Sequence, residues 1–374
     1  MSNKKTKVMK YSTSTILSII LVVLASCSKD KVEPEIEIET EVRDMYYPAV
    51  ADTEWETITP AELNWNETEI EALYIYLKNN KTKGFMVLVD GRIVIEEYFN
   101  DHNANAQWTW FSAAKSLTAT IAGIAQEEGL LNIGDKTSDY LGMNWSSLST
   151  EKEDLITVQH HLSMTTGLTD NVGDYIPWVC TTPNCLDYTA DAGTRWAYHQ
   201  GAFILLQDIL NQTTGVGFQS YGKTKLEDRI GMQGNWTKAL GLNIYNSNTR
   251  SMARFGLLAL NKGIWDDSTI ISEDYFNEMT TTSQELNKSY GYLWWLNGKQ
   301  SYMGTTSQEV VEGNLIPNAP SDLFAALGAN DQKIYVVPSK SLVIVRSGET
   351  AGETQLGLSS FDNELWEKLN AVMN

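Results

Sequence analysis

Hydrophobic and polar residues alternate with different periods along this chain, and each change of period marks a predicted element. Residues 16–25 form an uncharged, predominantly apolar run, about half the length that spans a bilayer. A capping-box pattern at Asn66–Glu69 then predicts a helix ending near Gly84, with the apolar face Ile70, Leu73, Tyr74 and Leu77. The β-rich runs 85–89 and 93–98 are joined by Asp90-Gly91, which predicts a β-hairpin.

The rest of the chain is predominantly helical in the middle and returns to strands near its end. A small-residue helix is predicted from Ser112 to about Glu128, and residues 136–290 show helices and loops without strong strands. Alternation returns at Leu293 and in the runs 323–328, 333–337 and 342–345, and a last helix has the apolar face Leu365, Trp366, Leu369 and Val372. The pattern predicts an α+β fold, with one sheet assembled from both ends of the chain and a helical lobe inserted.

The first residues have the features of an export signal. Four lysines precede the apolar run, which ends in Leu24-Ala25-Ser26-Cys27, a sequence that resembles a bacterial lipobox. We therefore predict a signal peptide at 1–26 and lipidation of Cys27, with an ordinary secretory signal as the alternative. The acidic stretch within 27–60 is interpreted as a tether, and 61–374 as the folded domain. The predicted location is the bacterial cell envelope, lipid-anchored on the periplasmic side or on the outer-membrane surface.

Charge and cysteine content narrow the classes of partner. The formal net charge is −19, and loss of the four leader lysines Lys4, Lys5, Lys7 and Lys10 takes it to −23. Nucleic acids and anionic membrane surfaces are poor partners for such a protein. A lipid on Cys27 leaves Cys180 and Cys185, for which a disulfide is predicted in an oxidising compartment, with two free thiols as the alternative. No second cysteine pair or histidine spacing completes a zinc site.

A serine followed three residues later by a lysine is the most informative catalytic pattern. The four histidines, His102, His160, His161 and His199, lie in no nucleophile-elbow or metal-ligand motif. Ser-x-x-Lys occurs six times, at Ser2, Ser26, Ser28, Ser112, Ser149 and Ser220. Only Ser112 opens a long helix, whose positive end favours a developing oxyanion, and Lys115 follows on the same face. Alone, the pair could also be a helix-capping serine with a snorkelling lysine.

The wider sequence resembles the serine β-lactamase and penicillin-binding-protein superfamily, specifically its class C β-lactamase-like branch of esterases and amide hydrolases. The resemblance runs from about residue 66 to 374. It rests on the Asp90-Gly91 hairpin, Phe111–Ser116, Ile156–Leu168, Tyr198–Gly201, Ser251–Leu258, Tyr290–Trp295, Ala326–Gln332, Pro338 and Leu342–Val345. It implies the β-lactamase/transpeptidase-like fold, an antiparallel sheet flanked by the N- and C-terminal helices. The sheet lobe is then about 61–135 and 290–374, the helical lobe is about 136–289, and neither metal nor cofactor is required.

The resemblance also assigns roles to residues outside the Ser-x-x-Lys motif. The family's Tyr-x-Asn motif matches literally at Tyr98 and Tyr275, but order along the chain carries the proton-shuttle role to Tyr198. Gln200 then stands where the family has asparagine, and it is assigned with Gly328 and Ala329 to substrate and oxyanion binding. The family's third motif, Lys/His-Thr/Gly-Gly, is absent at Ala326–Ala329. Its loss removes the groups that would hold a penicillin carboxylate.

We therefore expect a serine hydrolase that cleaves an ester or amide of a small molecule or peptide through an acyl-enzyme on Ser112. Lys115 and Tyr198 would be its acid/base groups, as in the branch that includes 6-aminohexanoate-oligomer hydrolases and carboxylesterases. One alternative is a D,D-peptidase or β-lactamase that acts on wall peptides or penicillins. The other is an inactive surface-binding lipoprotein on the same scaffold. The sequence leaves the oligomeric state open.

Overall fold

The computed structural model describes residues 43–51, 54–170, 178–239, 241–352 and 357–374. Cys27, the predicted leader and most of the predicted tether lie outside these residues. The strands are β1 (Thr82–Val89), β2 (Arg92–Tyr98), β3 (Trp108–Thr109), β4 (Gly234–Ala239), β5 (Leu242–Ser247), β6 (Ile264–Trp265), β7 (Ser268–Thr269), β8 (Trp295–Leu296), β9 (Ser301–Met303), β10 (Val310–Glu312), β11 (Phe324–Gly328), β12 (Gln332–Val337) and β13 (Leu342–Gly348). The helices are α1 (Ile70–Asn79), α2 (Ala114–Glu127), α3 (Thr137–Leu141), α4 (Thr150–Glu153), α5 (Val158–Leu162), α6 (Gln200–Thr214), α7 (Phe218–Gly222), α8 (Thr249–Leu260), α9 (Glu273–Met279) and α10 (Ser360–Met373).

The main sheet is antiparallel and combines strands from both ends of the chain, as the sequence predicts. Its order is β2-β1-β13-β12-β11-β8, and the early strand β1 pairs with the late strand β13 from Val89↔Leu342 to Thr82↔Gly348. Both strands are almost entirely buried. Burial on both faces explains why they appear in the sequence as continuous apolar runs.

Helices cover the two faces of this sheet. Trp366 of α10 packs edge-on against Tyr335 of β12, on one face. On the opposite face, Gly256 of α8 lies so close to β13 that a methyl group there would come within 2.5 Å of Val343 Cγ1. Side chains alternate across a strand, so these contacts define a helix–sheet–helix arrangement. The predicted α+β fold and its terminal helix are confirmed.

Two local predictions near the N-terminal hairpin have different outcomes. Asp90 and Gly91 both have positive φ, 49° and 77°, as a two-residue hairpin turn requires, and the predicted hairpin is confirmed. The prediction that α1 continues to about Gly84 is wrong. The helix ends at Asn79 because Lys81 adopts a left-handed φ of 54° and β1 begins at Thr82. Asn66 accepts a hydrogen bond from the Thr68 N–H, without the reciprocal Glu69 contact of a capping box.

The prediction that residues 136–290 lack strong strands is also wrong. The hairpin β4–β5 pairs along its whole length and joins β3 in a second sheet of order β3-β5-β4. Most of its side chains are half-buried or exposed. Its sequence therefore lacks the alternation of apolar and polar residues that is typical of a core-facing strand.

Cys180 and Cys185 form a disulfide. Within the described ranges, the structure contains no helix that is both long and apolar enough to span a bilayer.

Candidate active site

Ser112 lies on a strained turn between β3 and α2. A 3₁₀ turn at Phe111–Ala113 precedes the α-helix, which begins at Ala114, two residues after the predicted start. Phe111 has a φ of 46°, a conformation that costs a non-glycine residue on the order of 1–3 kcal/mol. Trp110 anchors the turn, because its Nε1 donates a hydrogen bond to Ser247 Oγ at 2.7 Å. Strain before a nucleophile, supported by buried packing, is a common feature of functional sites.

Lys115 follows one helical turn later, and its side chain meets the serine hydroxyl. Its Nζ lies 3.0 Å from Ser112 Oγ, and its side chain is buried, with 4% exposure. The rings of Phe203 and Tyr198 flank Nζ at 4.6 and 4.9 Å. Burial lowers the pKa of Lys115 from 10.5 to about 7. Near neutral pH, much of this amine is therefore free to accept a proton.

Tyr198 completes a cluster of three polar groups. Its phenol hydrogen-bonds Ser112, while burial raises its pKa well above the usual value. The ring stacks on Trp295 with centroids 6.0 Å apart and meets Tyr290 edge-on at 6.3 Å. Tyr198 is therefore a neutral phenol that can donate or relay a proton, and Lys115 is the group whose pKa suits a base.

The other Ser-x-x-Lys motifs are engaged elsewhere. Lys152, after Ser149, is paired with Asp191. Lys223, after Ser220, is paired with Asp228. The motifs at Ser2, Ser26 and Ser28 lie outside the described residues.

The literal Tyr-x-Asn matches also lie away from Ser112. The Tyr98 hydroxyl donates to Glu96 at 2.6 Å, and the Tyr275 hydroxyl donates to the Ala119 carbonyl at 3.3 Å. The order of motifs along the chain thus selected the tyrosine that meets the serine and lysine.

Gly328 and Ala329 lie beside the serine turn, at the end of β11. A methyl group at Gly328 would be 2.2 Å from the Trp110 carbonyl and 3.0 Å from the Ala113 nitrogen. Only a glycine lets the strand approach so closely. Ala329 lines the same pocket as Ser112. The N–H groups of Ala329 and Ser112 belong to segments that lie side by side. Two donors that bind the same oxyanion have to be close together in this way.

Buried ion pairs fix the segment that follows Ala329. Lys333 Nζ lies 3.2 Å from Asp331 and 2.7 Å from Asp362, and all three side chains are buried. Asp331 also accepts hydrogen bonds from the N–H groups of Ala351 and Gly352. Nothing in the sequence analysis predicted this network.

Gln200 is the first residue of α6 and is buried beside the serine. Its Oε1 has no hydrogen-bond partner among the described residues. Phe203 was not predicted as a site residue, although its position one turn after Gln200 places both on one helix face. His199, between Tyr198 and Gln200, is buried and packed.

The cluster opens into a pocket of about 200 Å³. Besides the residues above, Phe111, Trp178, Ala239, Leu242, Asn243 and Ile244 line it. The β4–β5 hairpin, which the sequence analysis missed, thus forms one wall. No group of three or more His, Cys, Asp or Glu suited to a metal ion occurs in the described parts of the chain.

The low pKa of Lys115 predicts how activity depends on pH. Its neutral form accepts the serine proton, so kcat/KM should rise with pH, reach half its plateau near the pKa of about 7, and then stay level because the Tyr198 phenol remains protonated. An exposed lysine would place this rise near about 10.4. Measuring kcat/KM for one neutral ester from about pH 5 to about pH 9 tests this. A rise that continues to the alkaline limit would contradict a lysine base with a lowered pKa.

Gly328→Ala should lower kcat strongly. The added methyl group would press on the Trp110 carbonyl at 2.2 Å, so β11 or the serine turn must move. Displacing one oxyanion donor costs about 10²–10³ in kcat. Gly134→Ala is the matched control, because its methyl group would approach only the flexible Asn132 side chain. Equal kcat values in the two folded variants would show that close approach at Gly328 is not needed.

Similarity to known proteins agrees with this fold. The model of the Beta-lactamase family matches residues 81–355. A Bacillus anthracis protein with the provisional name 6-aminohexanoate-dimer hydrolase superposes with a TM-score of 0.65 at 19% identity, covering 88% of this chain and 89% of that one. A family VIII carboxylesterase gives 0.57 at 16% identity, with 80% and 95% covered. A penicillin-binding-protein homologue from Caulobacter crescentus gives 0.60 at 12% identity, with 81% and 97% covered.

These solved structures share the β-lactamase/transpeptidase fold of this chain. The matched range includes most of the main sheet and all the residues predicted for catalysis, and the chain belongs to the Beta-lactamase family. In coarse terms its activity is that of a hydrolase. No curated protein sequence matches this chain.

Proposed function

We propose that the protein is a serine hydrolase that cleaves an ester or amide bond through an acyl-enzyme on Ser112. The observation that carries the proposal is the buried contact of 3.0 Å between Lys115 Nζ and Ser112 Oγ, made by an amine whose pKa is lowered to about 7. The names of two structural neighbours, a carboxylesterase and a 6-aminohexanoate-dimer hydrolase, support the same reaction class.

In the first half-reaction, Ser112 Oγ attacks the substrate carbonyl carbon and its proton moves to Lys115 Nζ. The N–H groups of Ser112 and Ala329 stabilise the negative oxygen of the tetrahedral intermediate. The proton then passes through the Tyr198 phenol to the leaving oxygen or nitrogen, and the bond to that atom breaks. Tyr198 regains a proton from Lys115, which leaves a neutral amine and an acylated serine.

In the second half-reaction, a water molecule attacks the acyl carbon, and Lys115 and Tyr198 accept its proton. The ester bond to Ser112 breaks, Oγ recovers the proton, and the carboxylic acid leaves. Every proton stays within the cluster of three side chains until it reaches a leaving group, so the step needs no further reactant.

Penicillin-like substrates are disfavoured by the charge of the site. The segment Ala326–Ala329 lacks the cationic and hydroxyl groups of the family's third motif, and Lys115 is the only charged residue that lines the described part of the pocket. A carboxylate placed there would lose its hydration without gaining a partner. Neutral esters and amides do not incur this penalty.

A fluorophosphonate probe and a substrate panel test the proposal. The expected result is covalent labelling of Ser112 and turnover of neutral activated esters or anilides, with little turnover of nitrocefin or D-alanyl-D-alanine peptides. Strong turnover of the last two would instead assign a β-lactamase or D,D-peptidase. Neither labelling nor turnover would assign an inactive binding protein and contradict the proposal.

We further propose that the protein is a lipoprotein of the bacterial cell envelope. The lipobox-like Leu24–Cys27 sequence and the disulfide between Cys180 and Cys185 support export to an oxidising compartment. Cells fed an alkyne analogue of palmitate should label the wild type and leave Cys27→Ala unlabelled. Equal labelling of both would contradict lipidation at Cys27.

A further inference from the structure

The pocket beside Ser112 is apolar on the walls that the catalytic groups do not occupy. Phe111 and Phe203 line it, together with Leu242 and Ile244 of β5. Asn243 lies between those two, and its amide is engaged by Gln207 at 2.8 Å and Gln219 at 3.3 Å. The walls therefore favour a group that gains by leaving water and makes no demand for charge pairing.

The volume limits the size of that group. The pocket measures about 200 Å³, whereas a dry protein cavity of about 150 Å³ holds one benzene ring. A substituent of about six to eight carbon atoms, or one aromatic ring, is therefore the largest that fits. Each methylene that enters should raise kcat/KM roughly fourfold, and a longer chain should gain nothing.

Trp178 forms a further part of the pocket wall. It lines the pocket, is 7% exposed, and donates from Nε1 to the Tyr198 carbonyl at 3.2 Å. The next residue, Val179, lies at the turn of the β4–β5 hairpin, where a methyl group on Gly241 would be 3.7 Å from its Cγ2. The chain at Trp178 and Val179 thus spans the pocket from α6 to that hairpin.

The disulfide begins immediately after this span. Cys180 is bonded to Cys185, and its carbonyl packs on the first turn of α6, where a methyl group on Gly201 would come within 2.6 Å of it. The loop that the disulfide closes is largely exposed and buries little apolar surface. The cross-link therefore restrains a loop that has few apolar contacts of its own, and it restrains the residue that lies two positions after Trp178.

We propose that Trp178, held in place by the Cys180–Cys185 disulfide, is the specificity-determining wall of a pocket for an uncharged apolar substituent next to the scissile carbonyl. The proposal rests on the proposed function, because it takes Ser112 as the nucleophile. The substrates are neutral esters or amides whose apolar group has about six to eight carbon atoms. Opening the disulfide frees the wall and admits longer groups.

A series of p-nitrophenyl esters from acetyl to dodecanoyl, with the hemisuccinyl ester as charged analogue, tests the wall. Oxidised wild type should prefer hexanoyl or octanoyl and reject the charged ester by about tenfold or more. Trp178→Ala and the double variant Cys180→Ser/Cys185→Ser should both move the preference to longer chains. Trp65→Ala is the matched control, since Trp65 packs outside the pocket.

Combining Trp178→Ala with the double cysteine variant shows whether Trp178 and the disulfide act as one unit. If the disulfide works by holding Trp178, the triple variant should shift the preferred length no further than Trp178→Ala alone. Reducing the wild type should reproduce the double variant, and reductant should not affect that variant. A chain-length preference that is unchanged in Trp178→Ala, or additive shifts in the triple variant, would overturn the proposal.

Binding to Ser112→Ala protein separates this proposal from the proposed function. Calorimetry with N-methyl alkanamides of increasing acyl-chain length requires no turnover. The dissociation constant should fall roughly fourfold per methylene up to about six to eight carbons, and the limit should lengthen when Trp178 is replaced. Affinity that is independent of chain length would overturn the pocket proposal even in an active enzyme. The predicted length dependence in a protein that never labels at Ser112 would support the pocket and reject the hydrolase mechanism.

Discussion

Ser112→Ala should reduce turnover of an activated ester by about 10⁴-fold or more, because the substitution removes the atom that forms the acyl bond. The loss should appear in kcat and in probe labelling, while circular dichroism and the thermal midpoint remain close to wild type. Ser112 Oγ accepts a hydrogen bond from Lys115 Nζ, and its hydroxyl also hydrogen-bonds the Tyr198 phenol. Stopped-flow or steady-state kinetics with a p-nitrophenyl ester measures the effect.

Ser220→Ala is the matched control for this substitution. Ser220 also precedes a lysine by three residues, but it is exposed and Lys223 is paired with Asp228. Its replacement should leave the kinetics within a factor of about two. If Ser112→Ala kept turnover near the wild-type level and Ser220→Ala lost it, the nucleophile would be Ser220 and not Ser112.

Lys115→Met should be nearly as damaging to activity and should also stabilise the fold. Without the amine, Ser112 has no base, so kcat/KM should fall by about 10³-fold or more. Methionine keeps the apolar stem between Phe203 and Tyr198 and removes a buried group that must stay uncharged. A lysine whose pKa falls from 10.5 to about 7 on folding costs on the order of 4 kcal/mol at neutral pH.

The pH dependence of this stabilisation fixes its cause. Between the folded and unfolded pKa values of Lys115, the unfolded chain binds more protons, so wild-type stability from this group rises with pH. The stability advantage of Lys115→Met should therefore shrink between about pH 7 and about pH 10. Urea unfolding at both pH values measures it, and Lys223→Met, at an exposed lysine, is the control. If the stability advantage of Lys115→Met did not change with pH, better packing would stabilise the variant, and not the loss of a desolvated amine.

The main sheet and the meeting of Ser112, Lys115 and Tyr198 could be predicted from the sequence, for identifiable physical reasons. Buried strands such as 342–345 and the hairpin at Asp90-Gly91 carry strong local patterns. Ser112 and Lys115 lie one turn apart on a single helix, so their meeting follows from helix geometry alone. Tyr198 is distant in the chain, and only the order of family motifs placed it beside them.

The pocket walls could not be predicted, because their positions depend on tertiary packing. The hairpin β4–β5 is largely exposed, so its polar sequence gives no strand periodicity. Trp178 and Phe203 approach Ser112 from different segments, and neither belongs to a motif. The buried pair of Asp331 and Lys333 appears in the sequence as two ordinary surface charges. Its burial depends on Asp362, which comes from the last helix.

The rate of covalent modification of Ser112 as a function of pH tests whether Lys115 activates this serine as a nucleophile. Intact-mass spectrometry after rapid mixing with a fluorophosphonate gives the rate, and peptide mapping gives the site. We expect one adduct, on Ser112. Its rate of formation should rise with pH and reach half its maximum near the lowered pKa of Lys115, about 7. An adduct on another residue, or a rate at Ser112 that is unchanged by Lys115→Met, would contradict this expectation.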